Sequence, residues 1–171
     1  GSGQATVSTS LGSTPACIII KNTATVDNWY VYHTSLGTGN YLNLNGTSAS
    51  IASTIVSSVS SSSFSVQGLN ANQAHVAYIF ASNAGGFGSA GTDNVITCGS
   101  YTGNRSATGP TITLGYEPQW VMVKASSTTG NWVIEDVIRG MSQTSSNELF
   151  PNLTNAETAL NPGIIPNATG F

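Results

Sequence analysis

The sequence predicts an all-β fold: tandem antiparallel β-sandwich-like repeats, the second copy incomplete. Three observations predict it. First, the chain reads twice. Leu11-Gly12-Ser13-Thr14-Pro15-Ala16-Cys17-Ile18-Ile19-Ile20-Lys21 returns as Leu114-Gly115-Tyr116-Glu117-Pro118-Gln119-Trp120-Val121-Met122-Val123-Lys124, and the offset of 103 residues holds to Asn28-Trp29 and Asn131-Trp132. After a four-residue insertion the offset is 107, pairing Leu42 with Leu149, Asn45 with Asn152, Ala52 with Ala159 and Phe64 with Phe171. Second, the apolar runs are short, rich in branched residues and bounded by Gly, Asn and Ser, which is strand-and-turn punctuation. Third, no stretch sustains a helical period. A long internal repeat marks one structural unit used twice, and it divides the chain into residues 1–92 and 93–171.

The elements follow in order. Residues 16–20 and 120–123 read as buried strands, each introduced by a proline (Pro15, Pro118) and closed by a lysine (Lys21, Lys124). A polar loop leads to Trp29-Tyr30-Val31-Tyr32-His33 and its counterpart Trp132-Val133-Ile134-Glu135-Asp136, so each copy opens on an antiparallel hairpin. Period-2 geometry puts Trp29, Val31 and His33 on one face and Tyr30 and Tyr32 on the other. Short segments follow around 41–45 and 149–153. The serine run 57–63, lying inside the repeat, is expected as an exposed loop or polar strand rather than a linker. Asn155–Leu160 is expected as one helical turn. His75-Val76-Ala77-Tyr78-Ile79-Phe80-Ala81 is a strong strand in the first copy. The second copy reaches Phe171 before any counterpart, so the chain reads as an excerpt or as one whose neighbours donate strands.

Composition excludes several function classes. Charged residues make up 6% of the chain and the net charge is −3, against roughly 25% charged residues in ordinary domains. Hydroxyls and amides must wet the surface. Without a basic run, no nucleic-acid partner and no anionic membrane partner is expected. No apolar run is long enough to span a membrane, so no membrane insertion is expected. Gly1 opens a polar stretch without the pattern of a signal peptide.

The chemistry-bearing residues are few. Glu135 and Asp136 form the sole adjacent carboxylate pair, but neighbouring strand residues point to opposite faces, whereas a glycosidase needs convergent carboxyls. Asp136 is expected to cap a turn and pair with Arg139, and Glu135 to be solvated. Lys21 and Lys124 hold equivalent positions and are expected to lay their stems over Trp29 and Trp132. Cys17 and Cys98 lack metal-ligand spacing, and Trp120 replaces Cys17 in the second copy; buried thiols are expected, with a disulfide as the alternative. His33 and His75 are isolated. No catalytic residue, metal or cofactor is expected. The repeated Pro15, Lys21, Trp29, Pro118, Lys124 and Trp132 are read as structural. Tyr30 and Tyr32 are not repeated as aromatics and are the candidate exposed surface for a glycan, since a ring stacks on the apolar face of a sugar.

The order of Ala77-Tyr78-Ile79-Phe80-Ala81, the Gly86-Phe87-Gly88 turn, Gly99-Ser100-Tyr101-Thr102-Gly103-Asn104, the Leu114–Lys124 segment, Gly130-Asn131-Trp132-Val133-Ile134, Leu149-Phe150-Pro151-Asn152 and Thr169-Gly170-Phe171 resembles a tandem domain of uncharacterised function. That domain is found in tail, tail-fibre and other virion proteins of bacteriophages, notably marine ones. The resemblance covers nearly the whole chain. Arg105 and Cys98 depart from the usual pattern, at a turn and a core slot. The resemblance implies a non-enzymatic virion structural protein, a tail or tail-fibre component located in the virion. Its partners would be other virion subunits and copies of itself, with host-surface glycan as a further partner. A carbohydrate-binding module is the alternative, and a glycan depolymerase a weaker third.

Overall fold

The computed structural model of the chain describes residues 3–106, 109–160 and 163–171. It is all-β, and every pairing between its strands is antiparallel. Two compact units divide it: Gly1–Gly99 with Ser126–Thr129, and Ser100–Ala125 with Gly130–Phe171. The division falls after Gly99 rather than after residue 92. The reason is local: segment 94–98 is tied back onto the end of the first copy. The Asn83 amide donates to the Ile96 carbonyl at 2.9 Å, and the Cys98 amide to Ser82 Oγ at 3.0 Å.

The first unit holds β1 (Ala5–Ser8), β2 (Pro15–Asn22), β3 (Trp29–His33), β4 (Asn40–Asn43), β5 (Ile51–Ala52), β6 (Val56–Val59), β7 (Ser63–Val66) and β8 (His75–Ala81). They form a five-stranded sheet, order β5-β4-β3-β2-β8, and a three-stranded sheet, order β1-β7-β6. Ile18 and Ile20 of β2 and Tyr32 of β3 cluster with Val56, Phe64 and Val66 of the smaller sheet, joined by Ile55 and Leu69. This sandwich-like core follows from strand alternation. The serine run becomes the β6–β7 hairpin, turned by Ser60, whose Oγ accepts the Ser63 amide at 3.0 Å. A bulge between Val56 and Ser58 sets Val56 opposite Val66 and Val59 opposite Phe64, so two valines three residues apart both face the core.

The second unit holds β9 (Trp120–Lys124), β10 (Trp132–Asp136), β11 (Ser146–Glu148) and β12 (Thr158–Leu160). The sequence repeat is a repeat of register. Lys124 pairs with Trp132 as Lys21 pairs with Trp29. Ile134 pairs with Leu149 as Val31 pairs with Leu42. Asn147 pairs with Ala159 as Asn40 pairs with Ala52. The helical turn expected over Asn155–Leu160 is therefore corrected: the last three residues are strand β12, because β11 offers them the ladder that β4 offers β5. Ile112 and Phe171 exchange backbone hydrogen bonds at 2.6 and 3.1 Å, as Val7 pairs with Phe64 in the first unit, but two residues out of step with the repeat, in which Ile112 matches Thr9.

Candidate functional site

Each hairpin is locked by the same polar clamp. The Trp29 amide donates to Asn45 Oδ1 at 2.9 Å, and Asn45 Nδ2 donates to Asn28 Oδ1 at 3.0 Å. The Trp132 amide donates to Asn152 Oδ1 at 2.9 Å, and Asn152 Nδ2 donates to Asn131 Oδ1 at 2.9 Å. Each hairpin then runs into a 3-10 turn, Thr34–Leu36 or Val137–Arg139, ended by a glycine at positive φ, Gly37 or Gly140. His33 Nδ1 accepts the Ser35 amide in the first copy. That contact uses the neutral ring, which burial favours by lowering the His33 pKa. Asp136 does this work in the second copy: Oδ1 accepts the Arg139 amide at 2.9 Å, and Oδ2 pairs with the Arg139 guanidinium at 3.0 Å. The expected cap and ion pair are both present.

Pro15 and Pro118 are buried, and Lys21 and Lys124 send Nζ to the carbonyls of Asn22 and Ala125. Lys21 also donates to the Asp27 carbonyl at 3.1 Å. The two tryptophans differ: Trp132 is 4% exposed, while Trp29 is half-buried.

The exposure expected of Tyr30 and Tyr32 does not hold. Both lie on the sandwich-facing side of β3; Tyr32 is 5% exposed and part of the core, and Tyr30 packs against it. The Tyr30 hydroxyl donates to Asp27 Oδ1 at 2.8 Å. Burial, then that bond to the Asp27 carboxylate, pushes its pKa up to about 12. Alternation separated the two faces correctly, but it does not say which face a second sheet covers. The aromatic surface is on the opposite side. There Trp29 lies near Tyr78 of β8, ring centroids 6.4 Å apart and planes 20° from parallel. With Lys21, Val26 and Val76 they line an open, shallow hollow of about 690 Å³. Tyr78 is 51% exposed and Val76 41%. Sequence reading did not single out Tyr78, which sat inside the strong strand 75–81.

The second region is Glu135. It is not solvated but 2% exposed. Its Oε2 accepts the Ser146 hydroxyl and, at 2.9 Å, the Ile164 amide. A Cβ on Gly163 would stand 2.5 Å from both carboxylate oxygens, so any side chain there would have to displace the carboxylate from where Ser146 and the Ile164 amide hold it. From the Ile134–Leu149 pairing, Glu148 lies opposite Glu135 across the strands. Burial, then the Glu135 charge, raises the Glu148 pKa. Glu135 and Asp136 do not converge: one is engaged by Ser146 and Ile164, the other by Arg139.

Cys17 and Cys98 are free thiols, the first buried and the second partly so. Burial, reinforced by Cys98, pushes Cys17 up to about 12, and burial raises Cys98; both are protonated at neutral pH. Among the described residues no group of three or more His, Cys, Asp or Glu side chains is placed to hold a metal. No helix there is long and apolar enough to cross a membrane.

A family model described as a domain of unknown function, DUF7483, matches residues 1–167. No curated protein and no solved structure matches the chain.

Proposed function

The chain belongs to the DUF7483 family, and on that premise we propose that it is a non-enzymatic structural subunit of a phage virion, a tail or tail-fibre component that mediates assembly and contact with the host surface. The observation that carries this reading is the duplicated architecture. The same hairpin, clamp and turn are built twice in the same register, while the varying pairs Tyr32/Glu135 and His33/Asp136 are engaged in packing and capping. The resemblance of the ordered motifs to tail-protein domains supports the same reading, as does a surface wetted by hydroxyls and amides. Peptide mass spectrometry of density-purified particles from the source sample tests it. Recovery of this sequence together with capsid and tail proteins is expected; recovery in the soluble or cell-surface fraction alone would overturn the reading.

A second reading, a module that binds a host polysaccharide, is favoured by one observation: the open hollow between Trp29 and Tyr78. Two nearly parallel rings beside polar backbone suit the apolar face of a sugar. Affinity electrophoresis in gels containing host polysaccharide tests it. The parent should be retarded, and the Trp29→Ala, Tyr78→Ala variant should not. Equal mobility of parent and variant in every gel would remove this reading.

A further inference from the structure

The hollow beside the first hairpin holds a cation that makes no ion pair. Lys21 of β2 pairs with Trp29 of β3 on one side and with Val76 of β8 on the other, and Ile19, two residues back, pairs with Tyr78. Paired residues share a face of the sheet, and so do residues two apart on one strand. Lys21 and both rings therefore stand on the face opposite Ile18 and Ile20, which belong to the core. An ammonium has three donors. One goes to the Asn22 carbonyl at 2.8 Å and one to the Asp27 carbonyl at 3.1 Å, so the loop that follows β2 grips it. The third remains. Among the described residues no carboxylate stands at ion-pair distance from Lys21. The Asp27 carboxylate accepts the Tyr30 hydroxyl at 2.8 Å and the Asn28 amide at 2.7 Å instead, and no acidic residue lines the hollow.

The threonines of the hollow have the opposite polarity. Thr23 donates its hydroxyl to the Ala74 carbonyl at 3.0 Å, and Thr25 donates to Gln73 Oε1 at 3.0 Å. With the proton committed, each oxygen has only lone pairs left to offer. The hollow thus presents two nearly parallel rings, hydroxyl oxygens that accept, and one fixed cationic donor. A neutral sugar would use the rings and the acceptors. A ligand that also carries an anionic acceptor would use Lys21, and a charge-assisted hydrogen bond is roughly twice as strong as a neutral one. Because Lys21 stands directly beside Trp29 in the register, that anion must be attached close to the ring that stacks. The carboxylate of a hexuronate is attached in that way.

We propose that the hollow takes an acidic sugar, a hexuronate unit of a polysaccharide, with its ring on Trp29 and Tyr78 and its carboxylate on Lys21. This rests on the reading of the hollow as a polysaccharide site and names the class of sugar.

Calorimetric titration with oligogalacturonate, oligoglucuronate and oligomannuronate, each beside its methyl ester, tests the proposal. Esterification keeps the ring and removes the charge. At least one acid should bind about fivefold more tightly than its ester, as one ion pair at an open site supplies. Salt provides a readout that needs no variant: the advantage of the acid should shrink toward parity as ionic strength rises, while binding of the ester holds. Lys21→Met keeps the apolar stem and should bind acid and ester alike, whereas Lys21→Arg should retain the preference. The Trp29→Ala, Tyr78→Ala variant should lose both. Equal binding of every acid and its ester by the parent overturns the proposal, as does a preference that survives unchanged in folded Lys21→Met. Binding of no acid at all overturns it too. If the parent is then still retarded by a host polysaccharide, and the Trp29→Ala, Tyr78→Ala variant is not, the hollow remains a sugar site but not an acidic one.

Discussion

The two copies share a backbone scheme and differ in what fills it. In the first, the core face of the hairpin carries Tyr30 and Tyr32, and Tyr41 meets Tyr30 edge-on with centroids 5.4 Å apart. In the second, the matching positions are Val133, Glu135 and Glu148. The swap is compensated across the sandwich. Val56, which packs in the core with Tyr32, corresponds to Gly163, where a side chain would collide with Glu135. Register is thus set by features common to both copies, the Asn clamp and the strand alternation, and tolerates exchange of an aromatic core for a hydrogen-bonded carboxylate. A buried carboxylate is expensive unless its hydrogen bonds are made, and here Ser146 and the Ile164 amide make them.

The largest expected effect is on the aromatic core. Phe64 is 1% exposed, and Phe64→Ala should destabilise the first unit by about 4 kcal/mol through lost burial and the cavity left. Urea denaturation followed by tryptophan fluorescence measures it; a loss below about 1 kcal/mol would mean that the two sheets do not share this core. Gly163→Val restores to the second copy the residue of the first, but against a carboxylate. It should cost about 3 kcal/mol by overpacking, while Gly163→Val with Glu135→Ala recovers part of that loss. No recovery in the double variant would show that the glycine answers to something other than Glu135.

The clamp sharpens the comparison in the other direction, since the same bonds are made in both copies, exposed in the first and part-buried in the second. Asn45→Ala and Asn152→Ala each remove one acceptor and one donor, and each should cost about 1–2 kcal/mol. Amide exchange at Trp29 and Trp132 should accelerate only in the copy that carries the substitution. Acceleration in both would break the view of two independent units.

The smallest effect is a pH dependence confined to the second copy. The folded-state pKa of Glu148 is raised above the ordinary 4.5, so the folded state prefers the protonated carboxyl. The stability this contributes is complete below the ordinary value and is lost as pH rises through the folded pKa. Thermal melts of Glu148→Gln should therefore show less decline over that window than the parent. An unchanged profile would place the titration elsewhere.

Much of this molecule was legible in the residues. The repeat, both hairpins, the all-β class and the capping by Asp136 follow from local chemistry and spacing. Alternation and turn residues act over a few positions, so they are written locally. Other features were not. The sequence put Tyr30 and Tyr32 on one face, but only the second sheet made that face the core and left Trp29 and Tyr78 outside. Glu135 read as a solvated strand carboxylate, because nothing adjacent to it announces a hydroxyl 11 residues on and an amide 29 residues on. The segment 94–98 read as the start of the second copy, and hydrogen bonds to Ser82 and Asn83 return it to the first. Each is a long-range pairing, and the sign of a face, buried or open, is decided by what the chain brings against it.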